Sequence, residues 1–230
     1  MLELEIIDLI IRRGESTVVG KLNLKVTKGE RVGVFGANGS GKTTLLDAIC
    51  RQVHFSAGKI YWQGRPLANM STVQVARLGV ARSFQFPQIL PNLTVLENLI
   101  SANTPISKDG IFRALFFRSP PEAEPRSQAY LARCGLGIYA RDLAGTLSFG
   151  QRRLLEIGCV LARRPQLVLL DEPSAGLSDE AKRHVSSAIG EMTMKRVPMI
   201  IVEHDLNFLA QHCDVIYQLE DGQLVKQQGY

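Results

Sequence analysis

Val32-Gly33-Val34-Phe35, Leu167 to Leu170 and Met199 to Val202 are short runs with no polar interruption. A half-exposed strand alternates apolar with polar residues, so unbroken runs of this kind predict parallel strands buried on both faces. They fall far short of the roughly 20 apolar residues that cross a bilayer, so the chain is not expected to span a membrane. Each run ends in a polar loop carrying reactive side chains. In an open parallel sheet the ligand crevice lies outside the carboxyl ends of the strands. The three loops are therefore expected to converge in space although they are far apart in the chain.

The remaining segments follow other patterns. Residues 2 to 10 and 21 to 27 alternate, with Leu22, Leu24 and Val26 apolar between Asn23, Lys25 and Thr27, which predicts half-buried antiparallel strands. Val215 to Leu219 and Leu224-Val225 flank Glu220-Asp221-Gly222-Gln223, the pattern of a hairpin with an Asp-Gly turn. The stretch from about 94 to 164 reads as helical. Thr94 and Glu97 have capping-box spacing ahead of Leu96, Leu99 and Ile100. Pro120, Pro121 and Pro125 then predict a break, with a new helix from Ser127 toward Cys134. With 230 residues, 45% hydrophobic and 21% charged, the chain is long enough for one domain. The expected organisation is an α/β core over 1–93 and 165–230, with a helical subdomain over about 94–164 inserted into it.

The loop after the first apolar run is Gly36-Ala37-Asn38-Gly39-Ser40-Gly41-Lys42-Thr43, which matches the phosphate-loop pattern GxxxxGK[ST]. It lies between a predicted strand and a predicted helix, Thr44 to Arg51. Glycines let the backbone wrap until its N–H groups face phosphate oxygens, and the helix N-terminus adds partial positive charge. Lys42 is expected at the β- and γ-phosphates. The Thr43 hydroxyl suits Mg²⁺, which prefers hard oxygen ligands. The second run ends at Asp171-Glu172. An Asp-Glu pair after an apolar run is commonly a solvated strand end, but beside a phosphate loop the favoured reading is different. Buried carboxylates need a cation, and Mg²⁺ held through water by Asp171 would supply it, with Glu172 as general base on the attacking water. The third run ends at Glu203-His204-Asp205, where His204 can reach the γ-phosphate or that water. His54, His184 and His212 are read as structural.

The net charge is +5, but Lys and Arg are spread along the chain rather than clustered, which suits an anionic nucleotide or membrane headgroups and not nucleic acid. The start Met1-Leu2-Glu3-Leu4-Glu5 has no basic region or cleavage site, so a cytoplasmic location is expected. Cys50, Cys134, Cys159 and Cys213 form no CxxC pair and are read as reduced thiols.

Leu147-Ser148-Phe149-Gly150-Gln151 resembles the LSGGQ signature of ABC ATPases. The other motifs stand in that family's order: Gln85 after a strand predicted over Val80 to Phe84 resembles the Q-loop, Ser174-Ala175-Gly176-Leu177-Ser178 the D-loop, and His204 the switch histidine. The resemblance covers essentially the whole chain. It implies the ABC ATPase fold: a phosphate-loop NTPase core with a mostly parallel sheet, an antiparallel β subdomain and a helical subdomain. It also implies a head-to-tail dimer binding ATP and Mg²⁺. Gly36, Asn38, Gly39, Ser40, Gly41, Lys42, Thr43 and Thr44 would hold the nucleotide. Ser148, Phe149, Gly150 and Gln151 would face the ATP of the partner subunit. Gln85 would join Thr43 and Asp171 at the metal and act with Glu172 and His204 in hydrolysis, linking the site to a permease. The implied location is peripheral, on the inner face of the membrane.

Three positions depart from that pattern. Arg13 stands where the family carries an adenine-stacking aromatic, and its guanidinium plane can stack instead. Phe149 replaces the first signature glycine, and Ser178 replaces the usual D-loop Asp. Within the family, Phe84-Gln85, Leu93 to Leu99, the long segment 101 to 125 and Leu147 to Gly158 look like the ATPases of branched-chain amino acid, amide or urea importers. That subgroup implies two permeases and an extracytoplasmic solute-binding protein. The apolar-basic stretch Ile111 to Arg118 is read as internal packing ahead of a membrane-facing surface. An ATPase of an exporter, a non-transport ABC ATPase and an idle ATP-binding regulator are the other readings. The last is disfavoured by retention of Lys42, Glu172 and His204. The transported solute is chosen elsewhere.

Overall fold

In the computed structural model the described residues are 1–103 and 123–227. They form two compact units. Unit 1 comprises Met1–Arg82, Gln166–Glu172 and Thr193–Tyr230, and unit 2 comprises Ser83–Pro165 and Pro173–Met192. The stretch 111–118 lies outside the described residues. Among the described residues no helix is long and apolar enough to cross a membrane.

Unit 1 contains two sheets. The first is antiparallel: β1 (Leu2–Arg13) and β2 (Ser16–Thr27) pair along their length, and β4 (Ala57–Trp62) and β5 (Arg65–Pro66) extend the sheet in the order β2-β1-β4-β5. The alternation of Leu22, Leu24 and Val26 puts those side chains in the core while Asn23, Lys25 and Thr27 stay exposed. Both strands run further toward their shared hairpin than the alternating residues alone indicate. Trp62 is buried and donates its indole N–H to Leu78 O at 3.2 Å, so its polar edge is satisfied.

The second sheet holds the three apolar runs. Its strands are β3 (Arg31–Phe35), β6 (Val80–Arg82), β7 (Leu167–Asp171), β8 (Met199–Val202), β9 (Val215–Glu220) and β10 (Gln223–Lys226), in the order β10-β9-β3-β8-β7-β6. All pairs are parallel except β9 with β10. Val34 and Asp171 both pair with Val202, so the carboxyl ends of β3, β7 and β8 stand side by side. Helices α1 (Lys42–Ile49), α2 (Thr72–Arg77) and α7 (Leu206–His212) complete the unit. The Asp-Gly turn is a two-residue hairpin loop with both φ values positive, 48° at Asp221 and 76° at Gly222, the geometry that matches strand twist. Two boundaries differ from expectation. Helix α1 begins at Lys42 rather than Thr44, and β6 stops at Arg82 rather than Phe84.

Unit 2 is helical: α3 (Val95–Asn103), α4 (Ala123–Arg133), α5 (Phe149–Ala162) and α6 (Asp179–Met194) through Met192. The expected capping box forms, with Thr94 N donating to Glu97 Oε2 at 2.7 Å and Glu97 N donating to Thr94 Oγ1 at 3.1 Å. Helix α4 corrects the sequence reading. It starts at Ala123, not Ser127, and Pro125 sits in its first turn, where a missing N–H costs no intrahelical bond. Ser127 is buried inside the helix. Gly158 lets α5 approach its neighbours, since a Cβ there would lie 3.3 Å from both Cys134 Sγ and Leu99 Cδ1. All four cysteines are free thiols. Burial pushes Cys50 and Cys134 up to about 11 and Cys159 and Cys213 up to about 12, which leaves them protonated and poor nucleophiles.

Candidate functional site

The loop between β3 and α1 is shaped by its glycines. A side chain at Gly36 would meet Leu219 O at 2.5 Å, and Gly41, the N-cap of α1 with φ 102°, would meet Val18 O at 3.0 Å. Neither position tolerates a Cβ. Because Gly41 offers no side-chain cap, the first N–H groups of α1 face the loop with their partial positive charge uncompensated by a cap. Lys42 is only 6% exposed, and its Nζ donates to Gly36 O at 2.8 Å and Ala37 O at 2.9 Å. Burial lowers its pKa, while Glu172 and Asp171 nearby pull it back up. The Ser40 hydroxyl is buried without a hydrogen-bond partner.

Asp171 ends β7 and is fully buried. Its two oxygens have different partners: Thr43 Oγ1 donates to Oδ1 at 3.3 Å, and Arg82 Nη2 donates to Oδ2 at 3.0 Å. From the sequence only a metal was expected to stand against this carboxylate; the structure adds a cation from the chain itself. Burial raises the Asp171 pKa, opposed by the Arg82 charge and the two hydrogen bonds. Glu172 follows with φ 49°, a left-handed backbone that an L side chain adopts at some cost, held by its N–H donating to Val202 O at 2.8 Å. Its Oε1 lies 2.9 Å from His204 Nε2. Asp205, next to the histidine, caps α7 by accepting from Asn207 N at 3.0 Å and Phe208 N at 3.2 Å. Unit 1 thus brings Lys42, Thr43, Asp171, Glu172 and His204 to the carboxyl ends of the neighbouring strands β3, β7 and β8. Arg13 is the exposed last residue of β1 and pairs with Ser16.

In unit 2, Ser148 is the N-cap of α5. Gln151 N donates to Ser148 Oγ at 3.3 Å and Ser148 N donates to Gln151 Oε1 at 2.9 Å, so the Gln151 side chain is engaged in its own helix cap. Phe149 is 42% exposed, and its ring lies against Gly176, 3.5 Å from where a Cβ would stand. Ser178, in place of an Asp, accepts from Ala181 N at 3.3 Å and caps α6. A cavity of about 480 Å³ is lined by Ser148, Gly150, Gln151, Gly176, Ser178 and His184 among others. Gln85 is exposed, on a segment whose backbone is held from α5: Glu156 Oε1 accepts from Phe84 N at 2.9 Å and Gln88 N at 3.3 Å, and Arg153 Nη1 donates to Phe84 O. Arg153 and Glu156 form a buried pair at 2.9 Å. The sequence reading missed both, and missed Arg82, because nothing local marks an arginine as buried.

Residues 19–175 match the family model for ABC transporters. The high-affinity branched-chain amino acid transport ATP-binding protein LivG of Escherichia coli is 32% identical over 220 residues, 93% of this chain and 86% of that protein. This chain belongs to the ABC transporter ATP-binding family. The corresponding protein BraF of Pseudomonas aeruginosa is 32% identical to this ABC ATPase over 226 residues, 95% of the chain and 88% of the relative. Two solved folds agree. A nucleotide-free ATP-binding cassette from an ABC transporter superposes with a TM-score of 0.86 at 27% identity, covering 100% of this chain and 92% of that one. The ADP conformation of an ATP-binding cassette does so at 0.85 and 28%, with the same coverage.

The donor set of this ABC ATPase fits a nucleotide with its metal. The Gly36–Thr43 loop carries a buried hydroxyl on Ser40 that needs a partner and an ammonium on Lys42 resting on its own backbone. Thr43 and Asp171 offer a pair of hard oxygens 3.3 Å apart, the ligand type that Mg²⁺ takes when it keeps several waters.

Proposed function

We propose that this chain binds and hydrolyses ATP to drive import of branched-chain amino acids or related amides through a separate permease, bound peripherally at the inner face of the membrane. The observation that carries this reading is the meeting of Lys42, Thr43, Asp171, Glu172 and His204 at the carboxyl ends of β3, β7 and β8. The import assignment is supported by likeness to the branched-chain amino acid transport proteins of both bacteria.

Each residue then has a role. Backbone N–H groups from Gly36 to Thr44, including those of Asn38, Gly39, Ser40 and Gly41, cradle the phosphates, and Arg13 stacks on the base. Lys42 exchanges two backbone carbonyls for the β- and γ-phosphates. Thr43 and Asp171 would hold Mg²⁺, which would supply charge neutralisation at the transferring phosphoryl group. Glu172 takes the proton of the attacking water, and His204 Nε2, 2.9 Å from Glu172 Oε1, orients that carboxylate and the γ-phosphate. Gln85 links the site to the permease. Ser148, Phe149, Gly150 and Gln151 present the N-terminus of α5 to ATP on a second such subunit, so ATP draws two subunits together and hydrolysis releases them. A solute-binding protein on the far side of the membrane completes the system.

The purified chain and its Glu172→Gln variant test this. The variant is expected to bind ATP normally, to associate in its presence, and to lose about 10²- to 10⁴-fold in turnover, the range for a removed general base. Unchanged hydrolysis sinks the role of Glu172. A wild-type chain with no affinity for ATP sinks the reading as a whole.

A further inference from the structure

We propose that Arg82 is a positioning residue for the metal-binding carboxylate, holding Asp171 Oδ2 so that Oδ1 alone is presented beside Thr43. The proposal rests on the reading of Thr43 and Asp171 as metal ligands. Thr43 and Asp47 are one turn apart on α1 and share a face of that helix. Arg82 Nη1 donates to Asp47 Oδ1 at 2.5 Å and to Gln52 Oε1 at 2.9 Å, while Nη2 donates to Asp171 Oδ2 at 3.0 Å. The ring closes through Thr43 Oγ1, which donates to Asp171 Oδ1 at 3.3 Å. One guanidinium therefore ties the helix that carries Thr43 to the strand that carries Asp171, and so sets the spacing of the two oxygens.

The location makes the tie rigid. The Arg82 side chain is 4% exposed, Asp171 is 0% exposed, and Asp47 is 17% exposed, so water competes little for the bonds from Arg82 to the two carboxylates. A planar fork sends Nη1 and Nη2 in fixed, divergent directions to two carboxylates on different elements, whereas an ammonium gathers its three donors on one nitrogen and fixes neither direction. Without the fork, Asp171 Oδ2 loses the donor that fixes it on the Arg82 side. The carboxylate then has more than one rotamer, and a metal must select one. Groups that hold a metal ligand in place commonly change metal affinity by about 10- to 100-fold.

A fluorescent ADP analogue, titrated against the full chain in EDTA and then in Mg²⁺, gives the metal's enhancement of nucleotide affinity. Arg82→Lys and Arg82→Met are each expected to cut that enhancement about tenfold, leaving affinity in EDTA unchanged. A soluble variant with the wild-type enhancement overturns the proposal. So does loss of affinity in EDTA and in Mg²⁺ alike, the mark of a merely structural arginine. If Arg82→Met does not fold, Arg82→Lys alone decides. A wild-type chain that binds the analogue no better with Mg²⁺ overturns the metal reading beneath the proposal, a result distinct from either failure of Arg82.

Discussion

The two units handle charge in opposite ways. In unit 1 the reactive groups hold one another: Lys42 and Asp171 are buried, and Asp171 is fastened to Arg82 and Thr43 while Glu172 meets His204. In unit 2 the signature end of α5 has no ionised side chain among Ser148, Phe149, Gly150 and Gln151; Ser148 and Phe149 are exposed, and the cap closes on itself. A buried ion pair there, Arg153 with Glu156, holds the Phe84–Gln88 backbone instead. A site with its own acid, base and cation can do chemistry. A helix N-terminus with no ionised side chain can only recognise an anion brought to it. Under the proposed function, unit 1 carries the reaction centre and unit 2 a surface for another subunit's phosphate.

The sharpest test of the contrast removes the buried pair of unit 2. Glu156→Ala takes the carboxylate from beside the buried Arg153, and breaking such a pair costs about 3–5 kcal/mol. It also strips the acceptor from Phe84 N and Gln88 N. Denaturant unfolding should show a loss of that size, with Glu156→Gln losing less because an amide oxygen still accepts. A change under about 1 kcal/mol for the Ala variant would mean the pair is not a structural anchor, since surface pairs have that magnitude.

A smaller effect separates folding from recognition at Ser148. Ser148→Ala removes a side-chain N-cap, which costs about 1 kcal/mol. Under the proposed role, the same change should markedly weaken ATP-driven association in a Glu172→Gln background. Sedimentation with ATP reads association, and thermal melting reads stability. Association unchanged by Ser148→Ala would break the contrast, because the exposed end of α5 would then have no part in recognising phosphate.

The architecture was legible wherever a local pattern carries it. Unbroken apolar runs mark β3, β7 and β8, alternation marks β1 and β2, and the Thr94–Glu97 spacing marks the start of α3. Even the convergence of three loops followed from parallel pairing. What stayed hidden depends on partners distant in the chain. Arg82 meets Asp171 across 89 positions and Arg153 meets Phe84 across 69, and no neighbouring residue announces either contact. Pro125 misled because proline breaks a helix interior but suits its first turn, and only the fold tells which turn it occupies. The left-handed Glu172 was equally unreadable, since a Glu carries no sign of its φ.

Arg31 and Asp214 sharpen the same comparison with the smallest effect. Arg31 opens β3, the strand whose other end carries the phosphate loop, and its Nη2 meets Asp214 Oδ1 at 2.5 Å. Hydrogen bonding from Arg31 comes first among the causes that hold the Asp214 carboxyl below its ordinary value, with the backbone N–H and the guanidinium charge assisting against partial burial. The Asp214 side chain is 44% exposed, so solvent screening leaves the pair about 0.5–1 kcal/mol. A depressed folded pKa gives stability that is present above the unfolded value of about 3.9 and lost as pH falls through the lower folded value. Asp214→Asn should therefore melt slightly lower than wild type at pH 7, with the gap closing as pH drops below about 4. Turnover should not change, because this charge pair stands at the start of β3 while the reactive groups gather at its end. A turnover deficit in Asp214→Asn, at a temperature where it is fully folded, would show that the charges of unit 1 act as one network and not as a reaction centre set apart from its supports.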